Sequence, residues 1–318
     1  MKKIISAVIG CLLIAAVFTG CDKKSQKDPS DGKSGDVLKI GVSMNSADEF
    51  RSSWLDSFKE QAAAKGYKVI STNADNSADK QISDVESLIQ QSVDVAVVHA
   101  YSEDGIVPAL EELKKAGIPA ILVDFQVASD DYETLVSDDQ LQNGVIQGEY
   151  VNAWLAEDKS RVANVGYIVG LYSMEGAMPR MYGFFDTCTK ANKLAEGEGG
   201  WSADGAMSLT EDWLQAYPKM NVFVAMSDEM ALGCVQALKA AGKNMDDVLI
   251  LGIDGSVEGL ASVKAGEIDC TAARDVNREA EVALECCEKV KAGEALEKQT
   301  YPKSITAVSI KNISQFVK

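Results

Sequence analysis

Nine side chains near the ends of apolar runs carry the groups that could do chemistry. His99, Asp124, Ser227, Asp254 and Arg274 close such runs, Phe50 and Arg51 follow the first, Arg180 opens a helical pattern, and Trp201 stands in a loop. Carboxylates and guanidinium groups of fixed geometry form paired hydrogen bonds to neighbouring hydroxyls, and aromatic faces suit the apolar C–H faces of a sugar ring. Few other small ligands use all three kinds of group at once. Nucleophilic catalysis finds less to work with. His99 is the single histidine, so a Ser/His/Asp set has to pass through it, and no Gly-x-Ser-x-Gly elbow occurs. His99 alone would read as a strand cap bonded to a carbonyl, and its place at a strand end turns the reading towards a cleft. Carboxylate-only chemistry stays open, but the expectation is a binding protein, not an enzyme, with no cofactor and no metal.

The elements that position these residues repeat one unit of strand, polar junction and helix. It is clearest at Asn221–Gly233, where an apolar run stops at Ser227 and a helical pattern begins, with Ser227 as N-cap and Asp228 and Glu229 in the first turn. Earlier units are Val37–Met44 with a helix over 52–65, Tyr67–Thr72 with 80–91, and Val93–Val98 with 105–116, the first and third closed by Gly66 and Gly117. Strands follow at Ile118–Val123 and Glu133–Val136, then a helix to about Leu155. A second set comprises a strand at Arg161–Val169, a helix at Pro179–Asn192, a helix from Trp201 to Tyr217, and strands at Val248–Ile253 and Ile268–Ala273. This alternation predicts parallel sheets with right-handed crossovers, and in such sheets ligands bind at the carboxyl ends of strands. Two similar sets with a break near Ser137 predict two lobes and a cleft. No helix is opened by a glycine-rich phosphate loop, and Gly197, Gly199 and Gly200 read as a flexible turn.

A chain of 318 residues is long for one domain, which agrees with two lobes. Its formal charge is −17, and removing residues 1–20, which carry Lys2 and Lys3 and no acid, takes it to −19. A surface that acidic repels phosphate backbones, so nucleic acid is not an expected partner. Residues 1–20 read as a secretory signal, with a basic start at Lys2 and Lys3, an apolar core at Ile4–Phe18, and Thr19-Gly20 before Cys21. Phe-Thr-Gly-Cys resembles a bacterial lipobox, which would make Cys21 the lipid-bearing first residue of the mature protein. Residues 21–36 then form a flexible tether. Five cysteines follow, with no CxxC spacing, so a Cys/His metal site has little to draw on. They read mostly as small buried apolar residues, and the sequence leaves a disulfide open.

Four motifs resemble one family. Ala-Met-Ser-Asp-Glu-Met-Ala-Leu-Gly at 225–233, Gly-Ile-Asp-Gly at 252–255, Val-Ser-Asp-Asp at 136–139 and Arg-Met-Tyr-Gly-Phe at 180–184 look like the ribose/galactose-type sugar-binding proteins and lipoproteins of ABC importers, over about Leu38 to Val308. The resemblance implies an α/β fold, a type I periplasmic binding protein of two Rossmann-like lobes with parallel sheets joined by a three-segment hinge near Ser137, Arg274 and Lys303. The N-terminal lobe would be 37–137 plus 275–303, and the C-terminal lobe 138–274 plus 304–318. Asp124, Arg180 and Asp254 fall at positions that hydrogen-bond sugar hydroxyls, Phe50 and Trp201 at positions that stack on the ring, and Ser137 at a crossing beside it. Ser227 and His99 stand where relatives have Asn, Phe125 where the aspartate is usually followed by Arg, and Arg274 where Gln or Asn is common. These departures point away from ribose, and Arg51 after Phe50 resembles the Trp-Arg pair of galactofuranose-type binders. The implied protein is a monomer, lipid-anchored to the outer face of the cytoplasmic membrane, or periplasmic if a second membrane exists. It would pass a monosaccharide to ABC permease subunits. The alternative is a sugar-sensing lipoprotein reporting to a membrane receptor kinase.

Overall fold

The computed structural model describes Val37–Val317; the signal at 1–20, Cys21 and the tether at 21–36 lie outside the described residues. In the first half the order is β1 (Lys39–Met44), α1 (Glu49–Ala64), β2 (Lys68–Asn73), α2 (Ala78–Gln90), β3 (Val95–His99), α3 (Val107–Lys115), β4 (Ala120–Val123) and β5 (Thr134–Val136). The second half runs α4 (Gln140–Glu157), β6 (Asn164–Val169), α5 (Pro179–Thr187), β7 (Asn192–Glu198), α6 (Ala203–Ala216), β8 (Val222–Ala225) and α7 (Asp228–Ala240). It continues with β9 (Leu249–Asp254), α8 (Val257–Ala265), β10 (Cys270–Ala273), α9 (Val276–Lys291), β11 (Gln299–Thr300) and β12 (Thr306–Ser309).

Two sheets result, ordered β11-β5-β4-β3-β1-β2 and β12-β10-β9-β8-β6-β7. All pairings are parallel except that of β10 with β12. The two orders correspond strand for strand, β4 matching β9 and β1 matching β6. The chain passes between sheets three times, after β5, after β10, where α9 returns to pack on β3, β4 and β5, and between β11 and β12.

Local sequence explains the helices. Asp48 caps α1 by accepting from Arg51 N, and Trp54, Phe58 and Ala62, four residues apart, turn one fully buried stripe to the sheet. Burying Trp54 and Phe58 is worth about 1.5–3 kcal/mol each. Gly66, at φ 77°, ends the helix in a conformation that costs other residues more. One apolar cluster joins Ile40, Val42, Trp54, Phe58, Val95 and Val97 to Ala283 of α9. Another joins Val85, Ala96, Val98, Leu110 and Leu122 on the opposite face, so the first sheet is covered on both sides.

One expected helix is shorter than its pattern suggested. It stops at Thr187, and Asn192–Glu198 forms β7, paired with β6 at the sheet edge. β7 is half-exposed and polar, Asn-Lys-Leu-Ala-Glu-Gly-Glu, so it lacks the apolar run that marks a buried strand. Gly197 lies within this strand, not in a loop. Among the described residues Cys188, Cys234, Cys270, Cys286 and Cys287 are buried and unpaired, and no helix is long and apolar enough to cross a membrane.

Candidate functional site

Between the facing carboxyl ends of the two sheets lies a cavity with about 440 Å³ of empty space. Asp48, Glu49, Phe50, Arg51, Asp124 and Phe125 line it from the first lobe, Arg180, Trp201, Ser227, Glu229, Asp254 and Ser256 from the second, and Arg274 from the crossing after β10. An outer space of about 1010 Å³ adjoins it, sharing Asp48, Arg51, Trp201 and Glu229 as a common border. Polar contacts also span the lobes directly: Glu49 Oε1 accepts from Val257 N at 2.8 Å, and Glu103 Oε1 from Gly176 N at 2.5 Å.

Asp124 and Asp254 end matching strands, and both take positive φ, 81° and 113°. Such backbone costs of order 1–3 kcal/mol for a residue with a side chain and persists where surroundings over-determine it. At Asp124 they do: its N–H donates to Val136 O at 3.0 Å, and its carbonyl accepts from Ser137 Oγ at 2.5 Å and Gln140 Nε2 at 3.4 Å. At Asp254 the carbonyl accepts from Arg274 N at 2.9 Å.

Guanidinium groups knit the acids together. Arg274 Nη2 lies 2.7 Å from Asp124 Oδ1, with Nη1 3.6 Å from Asp254 Oδ1, and the Phe50 ring 4.2 Å from its Cζ. Arg51 bonds Asp48 at 2.7 Å and reaches Asp124 Oδ2 at 3.5 Å. Arg180 donates from Nε to Gln140 Oε1 at 2.7 Å and from Nη1 to the Met226 carbonyl. It also sits over the faces of Phe125 and Trp201, 5.5 and 5.7 Å from their centroids. Those two rings, one from each lobe, stack at 6.0 Å. Trp201 takes φ 54°, and its indole occupies the space a Cβ on Gly170 would need, 2.0 Å away.

Charge separates the two aspartates. Burial would raise Asp124, but Arg274 and Arg51 outweigh it and hold the carboxyl at about 2. At Asp254 burial prevails over Arg180 and Arg274 and lifts the carboxyl to about 6. The cavity therefore offers a fixed anion on one side and a titratable carboxyl on the other.

Two sequence-predicted residues do not line it. His99 is buried beneath, its ring edge-on to Trp54 at 4.4 Å, because α1 lays Trp54 across the end of β3. Neither ring nitrogen has a hydrogen-bond partner, and burial together with Arg51 holds it neutral, at about 3. Ser137 turns its hydroxyl to the Asp124 carbonyl and borders the hinge side instead. Phe50, Arg51, Asp124, Phe125, Arg180, Trp201, Ser227, Asp254 and Arg274 are all brought together. Ser227 is also the N-cap of α7, accepting from Met230 N at 3.2 Å.

Sequence reasoning missed Asp48, Glu49, Glu229 and Ser256. Asp48 was recoverable, since Asp three residues before Arg51 is a cap signal; starting the helix at 52 hid it. Asp228 lies in the first turn of α7 as expected and also ties that helix to the next strand–helix junction. Fully buried, it accepts from Ser256 N at 2.9 Å at the start of α8, and a Cβ on Gly252 or Gly259 would come within 2.1 or 2.3 Å of its carboxylate. Burial holds its pKa well above the usual range. The Ser-Asp-Glu and Gly-Ile-Asp-Gly motifs are thus one packed unit.

The arrangement holds paired donors, acceptors and aromatic faces, with the Ser256 hydroxyl bonded to the Glu49 carboxyl, and among the described residues there is no cluster of three metal-ligating side chains. Residues 40–295 match the family described as the periplasmic binding protein domain. The chain belongs to the periplasmic binding protein family. This binding protein is 27% identical, over 94% of its length and 96% of the relative's, to the ribose import binding protein of Bacillus subtilis. It superposes on a Mycobacterium smegmatis protein in complex with β-D-fucofuranose with TM-score 0.82 and 26% identity, covering 88% of this chain and 94% of the other. The fructose-binding periplasmic domain of a hybrid two-component system gives TM-score 0.80 at 26% identity, with 88% and 93% covered. Its two lobes and three crossings are the type I periplasmic binding protein fold.

Proposed function

We propose that the chain captures a monosaccharide, a pentose or hexose and by the Phe50-Arg51 pair a furanose form, and delivers it to an ABC importer. The observation that carries this reading is the convergence of Asp124 and Asp254 on one cavity with Arg51, Arg180 and Arg274 and with Phe50, Phe125 and Trp201. Ring hydroxyls would donate to the two carboxylates and accept from the guanidinium groups, while the rings cover the C–H faces. Relatives that carry ribose or hold fucofuranose support it. Closure would bring 37–137 with 275–303 against 138–274 with 304–318, rotating about the three crossings and excluding water from the charged groups. The protein acts as a monomeric carrier without chemistry on the sugar, anchored outside the cytoplasmic membrane through a lipid on Cys21.

Calorimetric titration of the mature chain with D-ribose, L-arabinose, D-galactose, D-fucose, D-fructose and myo-inositol tests this. Saturable binding to one of them is expected; binding of an amino acid or purine with none of these would overturn it. Mass spectrometry of membrane-extracted protein should show a diacylglyceryl mass on Cys21, absent in Cys21→Ser. A sensing role has one observation in its favour, the likeness to the periplasmic domain of a two-component system. Loss of sugar uptake on deletion supports the importer; intact uptake with lost sugar-responsive transcription supports the sensor.

A further inference from the structure

Glu279 stands behind the cavity, not in it. It lies in the first turn of α9, fully buried, with both carboxylate oxygens on Arg274 Nη2 at 3.0 and 3.1 Å. Since α9 packs on β3, β4 and β5, Glu279 belongs to the first lobe, whereas Arg274 directly follows β10 of the second sheet. Nη2 also donates to Asp124 Oδ1 at 2.7 Å, so two acids occupy that nitrogen. Nη1 is different: its nearest acid oxygen is Asp254 Oδ1 at 3.6 Å, beyond hydrogen-bond reach. The Phe50 ring against the guanidinium limits its rotation. Nη2 is occupied by the two acids, Nη1 has no acid oxygen within hydrogen-bond reach, and Arg274 lines the cavity.

A buried guanidinium needs compensating charge. Were Asp124 alone to supply it, the natural geometry would be a two-pronged pair that takes both Nη1 and Nη2. An acid behind Nη2 removes that demand. We propose that Glu279 is a positioning residue for ligand recognition: it pins Arg274 through Nη2, keeps Nη1 open to a ligand hydroxyl, and leaves Asp124 and Asp254 with acceptor capacity for the same ligand. The proposal rests on the sugar-site reading of the cavity. A purely structural Glu279 would change the stability of the fold and leave Kd unmoved. A positioning Glu279 acts on Kd only through Arg274.

The test is a double-mutant cycle on the full mature chain, with whichever of D-ribose, L-arabinose, D-galactose, D-fucose, D-fructose and myo-inositol binds wild type most tightly. Glu279→Gln should weaken binding about tenfold while unfolding cooperatively, and in an Arg274→Ala background the same change should alter Kd less than about twofold. If Glu279→Gln does not fold, Glu279→Asp, which keeps the charge and shortens the reach, carries the cycle. Wild-type affinity in the single variant, or losses that simply add in the cycle, would overturn the proposal. Failure of wild type to bind any of the six would instead remove the reading on which it stands.

Discussion

Arg274 Nη2 meets Asp124 Oδ1 at 2.7 Å, so a base that follows a strand of one sheet is neutralised by an acid that follows a strand of the other. Both are almost completely buried. Removing one partner of a buried pair costs about 3–5 kcal/mol; here Asp124 serves both Arg274 and Arg51, and Glu279 on Arg274 Nη2 offsets part of the loss. Asp124→Ala should therefore lower the melting temperature by several degrees as well as abolish sugar binding. Asp124→Asn, which keeps the shape, should keep more of the stability and still lose the ligand. Calorimetry and thermal melts on both variants check this; unchanged affinity in both would remove Asp124 from the site.

Asp254 contributes to the pH response. Its carboxyl titrates near 6 when buried without ligand, and hydroxyls donating to it favour the ionised form. Affinity should fall as pH drops through about 6, and the stabilisation by sugar should shrink from pH 7 to 5. The raised pKa works in the opposite sense on the ligand-free fold: its contribution is full below the ordinary carboxylate value and is lost as pH rises through 6. Asp124, held at about 2, contributes above its ordinary value and loses that only in strong acid. Titrations of wild type and Asp254→Asn between pH 5 and 8 should differ in slope near pH 6, the variant keeping the response of Glu49, whose carboxyl in the same cavity is raised by burial to about 7.

Gly170 is predicted to matter through Trp201. A methyl group at 170 would overlap the indole at 2.0 Å, forcing the ring out of its stack with Phe125. Gly170→Ala should weaken sugar binding strongly with a smaller loss of stability, and quenching of Trp fluorescence by a soluble quencher should rise as the indole leaves its site.

Gly252→Ala has the opposite profile. Its Cβ would sit 2.1 Å from Asp228 Oδ1, and overpacking of this kind costs about 1–3 kcal/mol. Urea denaturation should show a lower midpoint. Asp228→Ala in the same chain should recover part of it, since the two changes share one space.

The cross-lobe contacts of Glu49 with Val257 N and Glu103 with Gly176 N favour the closed arrangement. Replacing both by Ala should weaken binding and leave the sugar-saturated protein with a larger radius of gyration by X-ray scattering than wild type.

Much of this was legible from residue order. Apolar runs ending in His99, Asp124, Ser227, Asp254 and Arg274 marked the strand ends because parallel strands buried on both faces must be apolar. The helix positions of Trp54 and Phe58 announced their packing. Edge strand β7 was hidden, since a half-exposed strand needs no such run. The depth of His99 was hidden too: a strand-end residue faces the cleft or lies beneath it according to what the next helix lays across it, and Trp54 does so here. Glu49, Glu229 and Ser256 reach the cavity because two lobes face each other, which no local pattern encodes.

Matching strand orders in the two sheets give the two lobes the same topology. Arg51 and Arg180, each on the helix after β1 or β6, and Asp124 and Asp254, after β4 and at the end of β9, are like groups arriving from two sides. A ligand between such groups meets the same question twice. What orients it must come from where the halves differ: Ser137 and Arg274 follow corresponding strands, yet the serine is turned into backbone and only the arginine reaches the cavity. New sugar preferences would arise at that broken pair sooner than at the repeated aspartates.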